Sequence, residues 1–134
     1  MAAVRSVYAG VEVIDSRYTD FRFTLPDVVA DNASSARFVL GDIEHHPTGL
    51  DLALETCVLS VNGVVVATGT GAAVQGHPAE ALALAANALA ERGLALETGW
   101  IVLTGGMTDA VCVGPGQQIV AEFTNLGAIT TVGT

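Results

Sequence analysis

Glu12 lies inside an apolar run, with Val11, Val13 and Ile14 around it. In a strand, period-2 alternation puts Glu12 on one face with Ile14 and Ser16. A carboxylate on a buried face must be neutralised, paired with a cation, or used to bind a metal. An arginine such as Arg17 or Arg37 would supply the pairing, so an ordinary ion pair and a metal ligand both remain open for Glu12. Asp15 and Arg17 share the opposite face two residues apart, and the simplest expectation there is an ion pair between them.

The segment Asp31-Asn32-Ala33-Ser34-Ser35 carries hydroxyls and backbone N–H groups suited to a substrate carboxylate, but an Asx or Ser turn needs the same residues. Thr104-Gly105-Gly106-Met107-Thr108 ends an apolar run in two glycines. This fits either a strand-end site, where a ligand can approach the backbone closely, or a tight turn. Gly69-Thr70-Gly71 lacks the GxxxxGK[ST] pattern of a phosphate cradle. Close packing of strands explains those glycines better. His45 and His46 are adjacent, so their side chains point apart and cannot jointly chelate one ion; exposed loop histidines are expected. His77 precedes Pro78 and is expected to cap or orient a helix start.

The elements that must hold these residues follow from local patterning. Strands are expected at Val11–Ile14, Phe21–Leu25, Leu52–Val61, Val64–Thr68, Trp100–Thr104, Gln118–Thr124 and Ala128–Val132. Asn62-Gly63 between two of them is a type I′ hairpin signal. Pro78, Glu80 and Gly93 bracket one helix, Pro78–Arg92, whose Ala- and Leu-rich filling predicts packing on more than one side. The expected class is a β-dominated α+β fold in one domain spanning residues 1–134.

Composition narrows the function. Half of the residues are hydrophobic (51%) and 14% are charged, which predicts a large buried share and excludes a disordered tail. The net charge is −9, from 14 acids against 5 arginines with no lysine, so no basic surface exists to meet a nucleic-acid backbone. Cys57 and Cys112 lack CxxC spacing and are expected to be reduced, buried fillers. Neither a signal-peptide pattern nor an apolar run long enough for a bilayer is present, which predicts a cytoplasmic protein without a membrane partner.

Four motifs, EVIDSRY (Glu12–Tyr18), VVADNASS (Val28–Ser35), GHP (Gly76–Pro78) and LTGGMT (Leu103–Thr108), closely resemble the C-terminal half of bacterial 4-oxalocrotonate decarboxylases. These are relatives of 2-oxopent-4-enoate hydratases in the fumarylacetoacetase-like group. The resemblance implies a mixed β-roll with one packed helix and a Mg²⁺ or Mn²⁺ site. It also implies decarboxylation of 2-oxo-3-hexenedioate to 2-hydroxypenta-2,4-dienoate in meta-cleavage breakdown of aromatic compounds. Three carboxylates hold the metal in that family, and Glu12 matches the third. The other two, an ExE pair, and a lysine lie upstream and have no counterpart in this chain. The resemblance therefore implies an N-terminally truncated member.

Ser34 is implied as a hydrogen-bond donor to a substrate oxygen, and Thr104 with Gly105 as pocket lining. The GGMT run favours the decarboxylase branch, since hydratases more often carry TGAL there. A hydratase and a catalytically silent assembly subunit are the rival readings. The implied partners are a small 2-oxo dicarboxylic acid, further copies of the chain and the sister hydratase.

Overall fold

The computed structural model describes all residues from Met1 to Thr134. Strands β1 (Gly10–Ile14) and β2 (Ser35–Leu40) form an antiparallel ribbon. Strands β3 (Thr56–Val61), β4 (Val64–Thr70), β5 (Gln118–Phe123) and β6 (Gly127–Val132) form an antiparallel sheet in the order β4-β3-β5-β6. Helix α1 (Leu25–Ala30) lies between β1 and β2, and helix α2 (Pro78–Ala90) follows β4. The chain is a strand-rich α+β fold with one main helix, as its sequence pattern implies.

The local signals act where expected. Asn62 and Gly63 turn β3 into β4 with φ of 50° and 80°, the left-handed geometry a type I′ turn needs. Pro78 opens α2, and His77 caps it by accepting a 3.0 Å hydrogen bond from the Ala79 N–H at Nδ1. Ribbon and sheet meet at a small core of Ala9, Leu126 and Ile129, with Val7, Val11, Val39, Leu50 and Phe123 packed around it.

Several expectations are corrected. Phe21–Leu25 is not a strand; Thr24 precedes α1, Pro26 sits in its first turn, and the Asp27 carboxylate accepts from the Thr24 N–H at 2.9 Å. That start signal outweighs the short apolar alternation. Residues 52–55 precede β3 rather than extending it. No residue of α2 is buried, so it is not packed on several sides. Cys57 is buried, and desolvation pushes its thiol pKa up, but Cys112 is exposed; both are free. His46 is exposed, whereas His45 exchanges backbone hydrogen bonds with Val7 and its Nε2 is buried without a partner.

Trp100–Thr104 forms no strand, and Trp100 and Ile101 are 60% and 58% exposed. The expected large buried share is absent: 13 of 134 residues are buried. No helix is long and apolar enough to cross a membrane.

Candidate functional site

The β1–β2 ribbon carries Glu12 on β1 and leads from the Ser34 turn into β2. Glu12 pairs with Phe38 across the ribbon, and the register slips between Val13 and Ile14. That irregularity ends the simple alternation used to assign faces. The inward residue at this level is Val11, against the core, while Glu12 is exposed. Its carboxylate has no ion pair with Arg17, Arg37 or any other cation. Glu12 is therefore a free carboxylate on the open face of a strand.

Arg17 is engaged elsewhere. Its Nη1 donates to Asp31 Oδ1 at 2.6 Å and to the Asp31 carbonyl oxygen at 2.8 Å, so the expected Asp15–Arg17 pair is not formed. Asp31 is buried, at 2% exposure, and takes three more donors on Oδ2: the Ser34 hydroxyl at 2.9 Å, and the Ser16 hydroxyl and Arg17 N–H at 3.2 Å. A buried carboxylate is tolerable only with such a shell. The Arg17 hydrogen bond, followed by those from Ser34 and the Arg17 backbone, holds the Asp31 carboxyl below its ordinary pKa against the opposing effect of desolvation. The same contact raises the Arg17 guanidinium.

Asn32, Ala33 and Ser34 all have φ between 53° and 58°. A left-handed run without glycine is costly and persists only when its surroundings impose it. Here the constraints are visible: the Ser34 N–H donates to the Asp31 carbonyl, the Ser34 carbonyl accepts from the Asp15 N–H at 2.8 Å, and the Ser34 hydroxyl is tied to Asp31. The Asp31–Ser35 cluster is thus a strained turn wrapped around its own aspartate. The Ser34 side chain is fully buried and its hydroxyl proton is already given to that aspartate, so Ser34 can donate to a ligand only after the turn opens and it leaves Asp31.

The Thr104–Thr108 segment packs at Gly69 and Val74, and Leu103 just before it touches the ribbon. A β-carbon built on Gly10 would lie 3.7 Å from Leu103 Cδ2 and 3.8 Å from Leu40 Cδ2, so the residue before Thr104 packs beside the start of β1. Gly105 has φ of 119° and lies against Val74. A β-carbon on Gly69 would fall 2.8 Å from the Met107 carbonyl carbon. Gly69 of β4, and Gly71 just after it against the Leu52 backbone, therefore serve close backbone packing, as their spacing suggested, and Gly69 seats the Thr104–Thr108 loop.

A divalent site needs several oxygen ligands. No group of three or more His, Cys, Asp or Glu residues in this chain is arranged to hold a metal. Glu12 fits the role of one carboxylate ligand; the chain's own donor set does not fit a complete site. Two residues central to the structure escaped the sequence reading. Asp31 showed only turn-like neighbours, and its partner Arg17 lies 14 positions away. Glu55, at 3% exposure, accepts from the Asn125 N–H at 2.6 Å, Asn125 Nδ2 at 2.8 Å and the Leu126 N–H at 3.2 Å, and so ties the approach to β3 to the β5–β6 turn. The available signal was a lone acid in the apolar run Leu52–Val61.

Residues 20–132 match the model of the fumarylacetoacetate hydrolase C-terminal family. A 4-oxalocrotonate decarboxylase of Pseudomonas putida is 47% identical over 130 residues, covering 97% of this chain and 49% of the relative. A 2-hydroxyhexa-2,4-dienoate hydratase of Comamonas testosteroni is 38% identical over 127 residues, covering 95% and 48%. The solved 4-oxalocrotonate decarboxylase of Pseudomonas putida G7, complexed with magnesium and adipate, superposes with a TM-score of 0.95 at 45% identity, covering 99% of this chain and 51% of that one. The chain spans about half the length of the curated relatives it matches.

Proposed function

The chain belongs to the fumarylacetoacetate hydrolase C-terminal family, and from that premise we propose that it is the C-terminal portion of the catalytic domain of a metal-dependent 2-oxo-3-hexenedioate decarboxylase. The observation that carries the branch assignment is the gap in identity, 47–48% to two decarboxylases against 36–38% to the hydratases. The GGMT run at Gly105–Thr108 points the same way.

Within this reading Glu12 contributes one carboxylate to a divalent ion. Mg²⁺ is the proposed metal because a solved relative holds it, and Mn²⁺ is expected to replace it. Ser34, buried and bonded to Asp31, meets a substrate oxygen once its hydroxyl leaves that aspartate. Thr104 and the Gly105 backbone line the space where the 2-oxo dicarboxylic acid lies, beside the first residues of β1. The proposed setting is the cytoplasm, in an assembly with further copies and the sister hydratase. A second reading, a silent assembly subunit, is favoured by one observation: no three His, Cys, Asp or Glu residues of this chain are grouped to hold a metal.

The test joins the chain to the unmatched half of the Pseudomonas putida G7 relative and supplies Mg²⁺. CO₂ release from 2-oxo-3-hexenedioate is expected. Glu12→Ala should lower it by at least about 100-fold while circular dichroism and the melting temperature stay unchanged, because the carboxylate is exposed and unpaired. Hydration of 2-hydroxypenta-2,4-dienoate without CO₂ release would overturn the branch assignment. Full activity of Glu12→Ala at limiting metal would overturn the ligand.

A further inference from the structure

The sequence pattern and the structure disagree at Trp100–Leu103, and the disagreement has a physical resolution. Trp-Ile-Val-Leu is a β-prone apolar run bounded by glycines at 99 and 105–106. All four side chains are nevertheless exposed, from 37% at Val102 to 60% at Trp100. No backbone group of Ile101–Leu103 takes part in a hydrogen bond; the Trp100 N–H alone reaches back to Glu97 at 3.2 Å. A β-prone run with an empty ladder and four apolar side chains in water is half of a strand pairing.

The surface area shows how much is uncovered. A compact monomer of 13.6 kDa exposes about 6,600 Å². This chain exposes 8854 Å², an excess of about 2,300 Å², which is one partner's share of a large obligate interface. Twenty large hydrophobic residues are exposed, against nine buried hydrophobic ones, and so large an apolar excess marks an interaction surface.

We propose that Trp100–Leu103 is a docking strand, completed by a polypeptide equivalent to the portion of the solved decarboxylase that this chain does not match. Two facts select that occupant. This chain superposes on the solved relative over 99% of its length with a TM-score of 0.95, so it is folded as one half of that protein. The chain accounts for only 51% of that relative, which leaves a segment of similar size to cover the excess area. The occupant pairs with the free backbone of Ile101–Leu103 and buries Trp100. This inference rests on the family relationship and not on the decarboxylase reading, so its readouts are binding and protection rather than turnover.

Trp100 is the sole tryptophan and reports directly. The complete chain is mixed with the unmatched segment of the Pseudomonas putida G7 relative, and the same two pieces are also joined in one polypeptide in case the segment does not fold alone. The expected result is a 1:1 complex by sedimentation, a blue shift of Trp100 emission, and slowed amide exchange at Ile101–Leu103 in both formats. In the free chain those amides should exchange at the rate of an unprotected peptide. Ile101→Asp should weaken the complex by at least about 100-fold and leave the melting temperature of the free chain unchanged, whereas Leu94→Asp, exposed but outside the run, should leave binding unchanged.

Three results would overturn the proposal. One is Trp100 and its neighbours remaining unprotected in the joined polypeptide. The second is the free chain alone protecting them as a dimer, which would make a second copy the occupant. The third is Ile101→Asp binding as tightly as the unaltered chain.

Discussion

Replacing Gly69 by alanine tests whether β4 positions the Thr104–Thr108 loop. Gly69 pairs with Cys57 in the sheet, and its φ is not in the left-handed region, so the substitution acts through volume alone. The added carbon would lie 2.8 Å from the Met107 carbonyl carbon and 3.3 Å from Thr108 Cγ2. The nearest atom is the Met107 carbonyl oxygen, which the added carbon would strike; comfortable contacts begin at about 3.5 Å, so the loop backbone must retreat by about 1 Å or more. Backbone yields less readily than a side-chain tip, and overpacking of this kind costs about 1–3 kcal/mol. For a domain of this size that is a fall of about 3–15 °C in melting temperature.

The control is Gly10→Ala, whose new carbon would make only ordinary contacts at 3.7 and 3.8 Å and should melt like the parent. In the joined polypeptide, displacement of Thr104 and Gly105 by about an ångström should also lower turnover by up to about 100-fold. Equal melting temperatures for the two variants would refute the reasoning. So would a Gly69→Ala protein that is destabilised yet has unaltered kinetics, which would separate the packing at Gly69 from the site.

Two further outcomes follow from the buried carboxylates. Asp31 is held below its ordinary value of 3.8, so its stabilising effect is present above that pH and is lost as pH falls through the lowered, folded-state value. Urea midpoints between pH 5 and pH 2 should fall steeply for the parent and less for Asp31→Asn; parallel curves would contradict this. Glu55→Ala strands the N–H groups of Asn125 and Leu126 and should cost about 2–5 kcal/mol. Faster amide exchange at those two residues should accompany the loss, and a change under about 1 kcal/mol in chemical denaturation would argue against the role.

What the sequence made legible was local. Asn62-Gly63 and His77-Pro78 carry their instructions within a few residues, and the β5–β6 pair closes around its own turn, so those elements form as read. Thr24, Pro26 and Asp27 were equally local, but the apolar alternation of Phe21–Leu25 drew attention away from them. Asp31 and Glu55 were not legible because their partners lie 14 and 70 positions away. The grouping of Glu12 with Ile14 and Ser16 on one face fails because the register slips between Val13 and Ile14, which an alternation pattern does not reveal. Trp100–Leu103 has strand chemistry, but its ladder partner is not supplied by neighbouring residues.

The central pairing of the sheet also sets an order of events during synthesis. β3 accepts β4 across a two-residue turn, but its other edge pairs with β5, with Val58 opposite Glu122 and Leu59 opposite Ala121. At a translation rate of about 5–20 residues per second, β3 leaves the ribosome about 3–12 s before the strand that will flank it. During that interval the β3 edge, with Cys57, Leu59 and Val61, is uncovered. The window for misassembly is therefore set by the 62 positions between Val61 and Phe123. Slower decoding of that stretch lengthens it.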